Sequence, residues 1–205
     1  MKIWSGPDIT QIFSPEVIIR ALITPNNRQN EVLIGAGGEG TILTWDIETG
    51  KCIFERKSGH KGAIRCLIPV ETDTYASGGE DFSISLWDIR TRAPVLALPG
   101  HTDTVLSLYS SPNNSLTSGS EDGTIGVWDV RVGTRLETGL VGERVNGIEP
   151  WAGQVLCAGL SLTIYKSGRT NSLQLDEGEL LKVKASDLIY TSSRSCRLCV
   201  WALSP

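Results

Sequence analysis

The sequence predicts an all-β chain built from about five repeated units of four antiparallel strands. Three observations carry that prediction. One pattern occurs twice in register, 41 residues apart: His60 recurs as His101, Ser77 as Ser118, Asp81 as Asp122 and Trp87 as Trp128. Helical periodicity is nearly absent, and short apolar runs alternate with Gly, Asn, Asp and Pro along the whole chain. Ile84 with Leu86, and Ile125 with Val127, alternate with their neighbours in the period of two that sets one face of a strand.

The repeated residues have a shared chemistry. An indole N–H donates and cannot accept, so a buried Trp needs a partner. A Ser hydroxyl can accept from it and donate onward to an imidazole, whose other nitrogen can donate to a carboxylate. Trp87, Ser77, His60 and Asp81 are expected to form one such relay, and Trp128, Ser118, His101 and Asp122 a second. Each neutral link is worth roughly 1 kcal/mol net, and the link to the carboxylate roughly 1.5–3. Gly59-His60 and Gly100-His101 open the two units, and Trp87-Asp88 and Trp128-Asp129 close them. A period of about 40–45 with this opening and closing marks four-stranded propeller blades. On these residues the chain resembles the WD-repeat (G-protein-beta-like) β-propeller family. The resemblance implies that the two relays are the structural tetrads of two blades.

Taken in order, the units are 15–57, 59–98, 100–138, 143–175 and 176–203, within a single propeller domain over 1–205. In the first, strands a to d are expected at Ile18–Ile23, Glu31–Ala36, Ile42–Ile47 and Lys51–Glu55. Its relay is degraded: Gly35 replaces Ser, Glu39 replaces Asp, and Pro15 lies where His would be. The second and third units carry the full pattern. The fourth is eroded, with strands expected at Val145–Trp151, Gln154–Cys157, Leu162–Lys166 and Ser172–Leu175, and Tyr165 in the Trp position. The fifth has three strands, Leu180–Ala185, Leu188–Ser192 and Arg197–Leu203, with Thr191 ten residues before Trp201. Residues 8–13 read as a strand d without a blade. Pairing them with the fifth unit would close a five-bladed ring and remove two open edges. The competing reading is a piece of a longer, usually seven-bladed, propeller, since Lys2-Ile3-Trp4 looks like the end of a strand c. The counting favours five blades.

Composition narrows the function. With 205 residues, 40% hydrophobic and 20% charged, the chain is globular. A net charge of −4 and scattered basic residues argue against a nucleic-acid binder. No 18-residue apolar run suggests a membrane span, and no secretory h-region is visible, so Asn113-Asn114-Ser115 is expected to be an idle sequon. Five irregularly spaced cysteines read as reduced thiols of cytoplasm or nucleus.

Four motifs carry rival chemistries. Ser77, His60 and Asp81 have the residue types of a hydrolase triad. The set occurs twice, however, and a Trp in register occupies each hydroxyl, so no catalytic residue is expected. Gly35-Ala36-Gly37-Gly38-Glu39-Gly40 fits a dinucleotide fingerprint, but a strand follows it where a helix is required, so a tight turn is expected and no cofactor. Cys196-Arg197-Leu198-Cys199 is a lone pair of thiols with no second ligand pair, so no metal is expected. Arg90 and Arg131 give WDIR and WDVR in successive repeats. Within the family this resembles the box of substrate receptors that dock on a cullin–RING ubiquitin ligase adaptor.

The resemblance implies a non-catalytic scaffold that presents one rim to peptide or protein partners inside a multi-subunit complex. Glu39, Glu80 and Glu121 would lie on that rim with Arg65 nearby, an arrangement suited to a basic, histone-like tail. Glu39, Arg65, Glu80, Arg90, Glu121 and Arg131 are therefore the candidate partner-binding residues.

Overall fold

The computed structural model describes residues 2–5, 8–11, 18–24, 32–91, 93–111, 113–166, 168–173, 179–186, 189–195 and 198–201. Their strands form one hairpin and five antiparallel sheets, each running through consecutive strands. The hairpin is β1 (Lys2–Ser5) and β2 (Asp8–Gln11). The first sheet holds β3 (Ile19–Ile23), β4 (Val32–Gly37), β5 (Thr41–Asp46) and β6 (Cys52–Lys57). The second holds β7 (Ile64–Pro69), β8 (Thr74–Gly79), β9 (Ile84–Asp88) and β10 (Leu96–Leu98). The third holds β11 (Val105–Ser111), β12 (Ser115–Ser120), β13 (Thr124–Asp129) and β14 (Thr134–Leu140). The fourth holds β15 (Gly147–Trp151), β16 (Gln154–Ala158), β17 (Leu162–Lys166) and β18 (Arg169–Leu173). The fifth has β19 (Leu180–Ala185), β20 (Ile189–Ser193) and β21 (Leu198–Trp201).

The core lies between sheets, because strand c is apolar on both faces. In β9, Ile84 and Leu86 pack onto the third sheet with Val105, Leu116 and Trp128. Trp87, between them in the alternation, packs the other way, with Ile34 and Ile42 of the first sheet. Ile125 repeats the role of Ile84, meeting Val145 and Tyr165 of the fourth sheet. Leu156, Ala158 and Leu162 then meet Leu180, Val183 and Ile189 of the fifth. Each large apolar side chain so buried contributes about 1.5–3 kcal/mol. Glycine sets the spacing between blades: a Cβ on Gly78 would stand 2.6 Å from Val105, and one on Gly119 2.5 Å from Val145. These two contacts recur with the repeat. The innermost strands β3, β7, β11, β15 and β19 surround a common passage.

Two expectations differ from the structure, and the tight turn expected at 35–40 is present. The closing strand was placed at 8–13, but β2 pairs with β1, in the register Trp4↔Ile9, and no pairing of β2 with β21 exists among the described residues. Residues 12 and 13 lie outside the described residues. A c–d hairpin accounts for both Lys2-Ile3-Trp4 and the strand after it. In the fourth sheet the outer strand is Arg169–Leu173, starting three residues before the expected Ser172, and residues 174 and 175 lie outside the described residues. The connection before it is short: Tyr165 pairs with Thr170, five residues on, whereas Trp45 pairs with Cys52 and Trp128 with Arg135, seven on. The glycine-rich segment 35–40 ends in a single 3-10 turn, Gly38–Gly40, and β5 follows it directly. The strand supplies no helix N-terminus to face a pyrophosphate.

Candidate functional site

Strands a, b and c of the second sheet and the loops at one end of it converge on His60. Trp87 Nε1–H donates to Ser77 Oγ at 2.8 Å, the Ser77 hydroxyl donates to His60 Nε2 at 2.8 Å, and His60 Nδ1–H donates to Asp81 Oδ1 at 2.8 Å. In the third sheet Trp128, Ser118, His101 and Asp122 stand in the same order at 2.8, 2.7 and 2.9 Å. Both serines are fully buried. Burial pushes the His101 pKa down, outweighing the pull of Asp122, so the imidazole is neutral. Burial pushes Asp122 up, but hydrogen bonds from Thr124, the Thr102 N–H and His101 overcome it and hold the carboxyl at about 2. Asp81 is lowered by the same contest, with burial opposed by His60, the Lys61 N–H and Ser83. In the third sheet a neutral donor thus faces an ionised acceptor, which makes a strong hydrogen bond without a buried ion pair.

One hydroxyl beyond the expected four residues completes each relay. Ser83 Oγ donates to Asp81 at 2.8 Å and Thr124 Oγ1 to Asp122 at 2.6 Å, each also within 3.2 Å of the imidazole Nδ1. Both lie two residues after the Asp, so the 41-residue repeat contained the signal. Cations cover the indoles: Arg56 lies 5.9 Å from the Trp87 ring and Arg135 5.0 Å from that of Trp128.

The other sheets replace the relay with packing. Trp45 is buried, and its Nε1 has no hydrogen-bond partner among the described residues. A Cβ on Gly35 would stand 2.7 Å from that indole, so the ring fills the volume a serine would need. In the fourth sheet the ladder aligns Cys157 with Thr163, two residues before Tyr165. That is the serine's register, since Ser77 aligns with Ser85, two before Trp87. Burial raises the Cys157 thiol to about 12, so it sits there as a small neutral hydrophobe. In the fifth sheet Thr191 aligns with Cys199, again two before Trp201.

The rim carboxylates are satisfied by neighbours. Glu80 lies 3.5 Å from Arg65 and accepts from the Ala63 N–H at 3.2 Å. Glu121 is 2.5 Å from Arg144, which also reaches Glu179 at 3.4 Å, and Arg194 meets Glu179 at 3.1 Å. Asn146 ties Glu179 to the Leu180 carbonyl. Sequence reasoning missed this Arg144 network because its members are far apart in the chain. Glu39 is exposed in the turn after β4, at φ 57. Arg90 and Arg131 sit away from these carboxylates and fold onto their own repeats. Arg90 Nε and Nη2 donate to Asp88 at 2.9 and 2.6 Å, and Arg131 does the same to Asp129 at 3.2 and 2.8 Å. These hydrogen bonds hold both aspartates at about 2.

Cys52, Cys66 and Cys157 are free thiols, while Cys196 lies outside the described residues. No group of three or more metal-ligating side chains occurs among the described residues, and no helix among them is long and apolar enough to cross a membrane.

Comparison with known proteins identifies two of the repeats. A profile described as "WD domain, G-beta repeat" matches residues 50–88 and 92–129. Nuclear distribution protein nudF of Emericella nidulans is 35% identical over 74 residues, 36% of this chain and 17% of that protein. CCR4-associated factor 4 of Saccharomyces cerevisiae is 31% identical over 111 residues, 42% of this chain and 17% of that protein. The THO complex subunit 6 homolog of Danio rerio is 39% identical over 87 residues, covering 42% and 25%. The chain therefore spans a quarter or less of the length of these relatives. Two solved folds, the RRP9 WD40 repeats and U3-55K, superpose with TM-scores of 0.83 and 0.84 at 18% identity, covering 95% of this chain and 63% and 64% of theirs. Sheets of one topology, two indole–hydroxyl–imidazole–carboxylate relays, the matching repeats and the superposition agree: residues 50–88 and 92–129 are WD repeats, and the chain has the fold of WD-repeat β-propellers.

Proposed function

We propose that this chain is one propeller domain acting as a non-catalytic interaction platform, holding peptide or protein partners on its loop-bearing face within a larger assembly. One observation carries the reading: each serine that resembles a nucleophile is fully buried, accepts from an indole and donates to the imidazole. Each hydroxyl is enclosed beneath its indole with no exposed surface, so a substrate carbonyl has no approach to the oxygen. The eight relay residues are assigned to scaffolding. They fix loops from which other side chains project at set separations. Free thiols support placement in a reducing compartment, cytoplasm or nucleus.

Fluorophosphonate labelling tests the non-catalytic part, and affinity purification of the tagged chain from its native cells tests the platform part. The expected result is no label on Ser77 or Ser118 and stoichiometric recovery of defined partner proteins. Labelling of either serine, or a chain that stays alone in its native extract, would contradict the proposal. The ligase-receptor reading gains no separate support, because Arg90 and Arg131 are each engaged by the preceding Asp. The basic-tail reading loses its bare acidic rim, since Glu80 and Glu121 already have arginine partners.

A further inference from the structure

The passage between the five innermost strands has a deep part of about 240 Å³ and a mouth of about 490 Å³. The mouth lies where these strands begin, on the side carrying His60 and His101. Four of the five strands share a feature there. The ladder skips Arg20 between Ile19 and Ala21, Arg65 between Ile64 and Cys66, Leu106 between Val105 and Ser107, and Leu181 between Leu180 and Lys182. A bulge takes a side chain out of the sheet's alternation and re-aims it. All four skipped residues line the mouth, joined by Lys182. One repeated irregularity thus places two arginines and two leucines around one opening.

The charge is one-sided. Among the described residues, no Asp or Glu lines the mouth or the deep cavity. Arg20 and Lys182 are exposed and have no ion-pair partner among the described residues, while Arg65 is braced by Glu80. This cationic ring belongs to a chain of net charge −4. A recess lined by one sign of charge focuses the field on what enters it. Apolar surface is interleaved with the cations: Ile18 is 70% exposed and Leu181 41%. Phosphate backbones call for an extended basic stripe, which is absent here, and have no use for the aliphatic lining.

We infer that this mouth binds an acidic peptide segment of a partner protein, its carboxylates meeting Arg20, Arg65 and Lys182 and its aliphatic side chains resting on Ile18, Leu106 and Leu181. The assignment rests on the platform reading and names the class of ligand for one face of it. Arginine suits the carboxylates because its planar fork matches them in two hydrogen bonds.

Fluorescence anisotropy with a labelled nine-residue peptide repeating Asp-Leu-Glu tests it, beside a Lys-Leu-Arg repeat of equal length and a nine-nucleotide oligo-dT. The acidic peptide should bind, weaken as salt is raised, and lose at least about tenfold in affinity in the Arg20→Glu/Lys182→Glu double variant. The variant should melt like the parent, because both side chains are exposed. Leu181→Ser should weaken binding about threefold at unchanged salt dependence, an estimate for one partly buried aliphatic contact. Absence of binding by the parent overturns the assignment, as does equal binding by the double variant or by the basic peptide. Equal binding of oligo-dT would show a general anion site and overturn it too. If defined partners still co-purify while the acidic peptide fails, the platform survives and only this ligand class falls.

Discussion

His60 shows why a single side chain can matter to three strands and two loops. It bonds Ser77 and Asp81 at 2.8 Å each, and behind them stand Trp87 and Ser83. His60→Ala leaves a buried hydroxyl and a half-buried carboxylate short of a partner, and should cost about 1–3 kcal/mol in urea unfolding. A neutral result would contradict the relay. The four residue types were legible because they recur in register. Ser83 and Thr124 recur equally, but hydroxyls are common in turns, so their recurrence acquires meaning only once the carboxylate partner is placed. Gly35 carries the opposite lesson. Its sequence position suggests a lost serine, yet Trp45 already occupies that volume. Gly35→Ser should therefore not rebuild a relay. It should destabilise by about 1–3 kcal/mol through overpacking, and a gain in melting temperature would refute this.

At the scale of elements, strand existence was readable and strand register was not. Alternating runs and turn residues placed the four strands of the first sheet to within a few residues, while the second sheet falls inside the unit 59–98 and the third within two residues of 100–138. The fourth sheet misled because its b–c and c–d hairpins are each two residues shorter than those of the third sheet, so counting from Tyr165 displaced strand d. The shorter b–c hairpin puts Cys157 eight residues before Tyr165 in the register that Ser77 holds ten before Trp87. The bulges at Arg20, Arg65, Leu106 and Leu181 were invisible for another reason. A one-residue irregularity changes where a side chain points without changing which residues a strand contains. Hence the most cationic feature of the loop-bearing face could not be assembled from the sequence, where Arg20 and Lys182 look like scattered charges.

At the scale of the molecule, stability is tied to ionisation. Asp122 titrates at about 2 when folded against an ordinary 3.8, so its contribution is complete above 3.8 and drains away as pH falls toward 2. His101 is lowered from 6.5, so the neutral imidazole is the folded form, and its contribution is complete above 6.5 and lost as pH falls below it. Asp81 adds a loss of the same sign at low pH. Thermal melts from pH 8 to pH 3 should therefore decline monotonically on acidification, and His101→Gln should remove the upper part of the decline. A melting temperature that rises between pH 6.5 and pH 5 would contradict the assignment of a neutral His101.

The claim beneath all of this is that each full blade is locked by its own indole-to-carboxylate relay. Hydrogen exchange of the indole N–H groups of Trp87 and Trp128, followed by nuclear magnetic resonance, tests it most directly. Both should exchange slowly in the parent protein. His60→Ala should accelerate Trp87 about tenfold or more and spare Trp128, with His101→Ala doing the reverse, as expected for loss of about 1.4 kcal/mol of local protection. Rapid exchange of both indoles in the parent, or no acceleration of Trp87 in His60→Ala, would contradict the account.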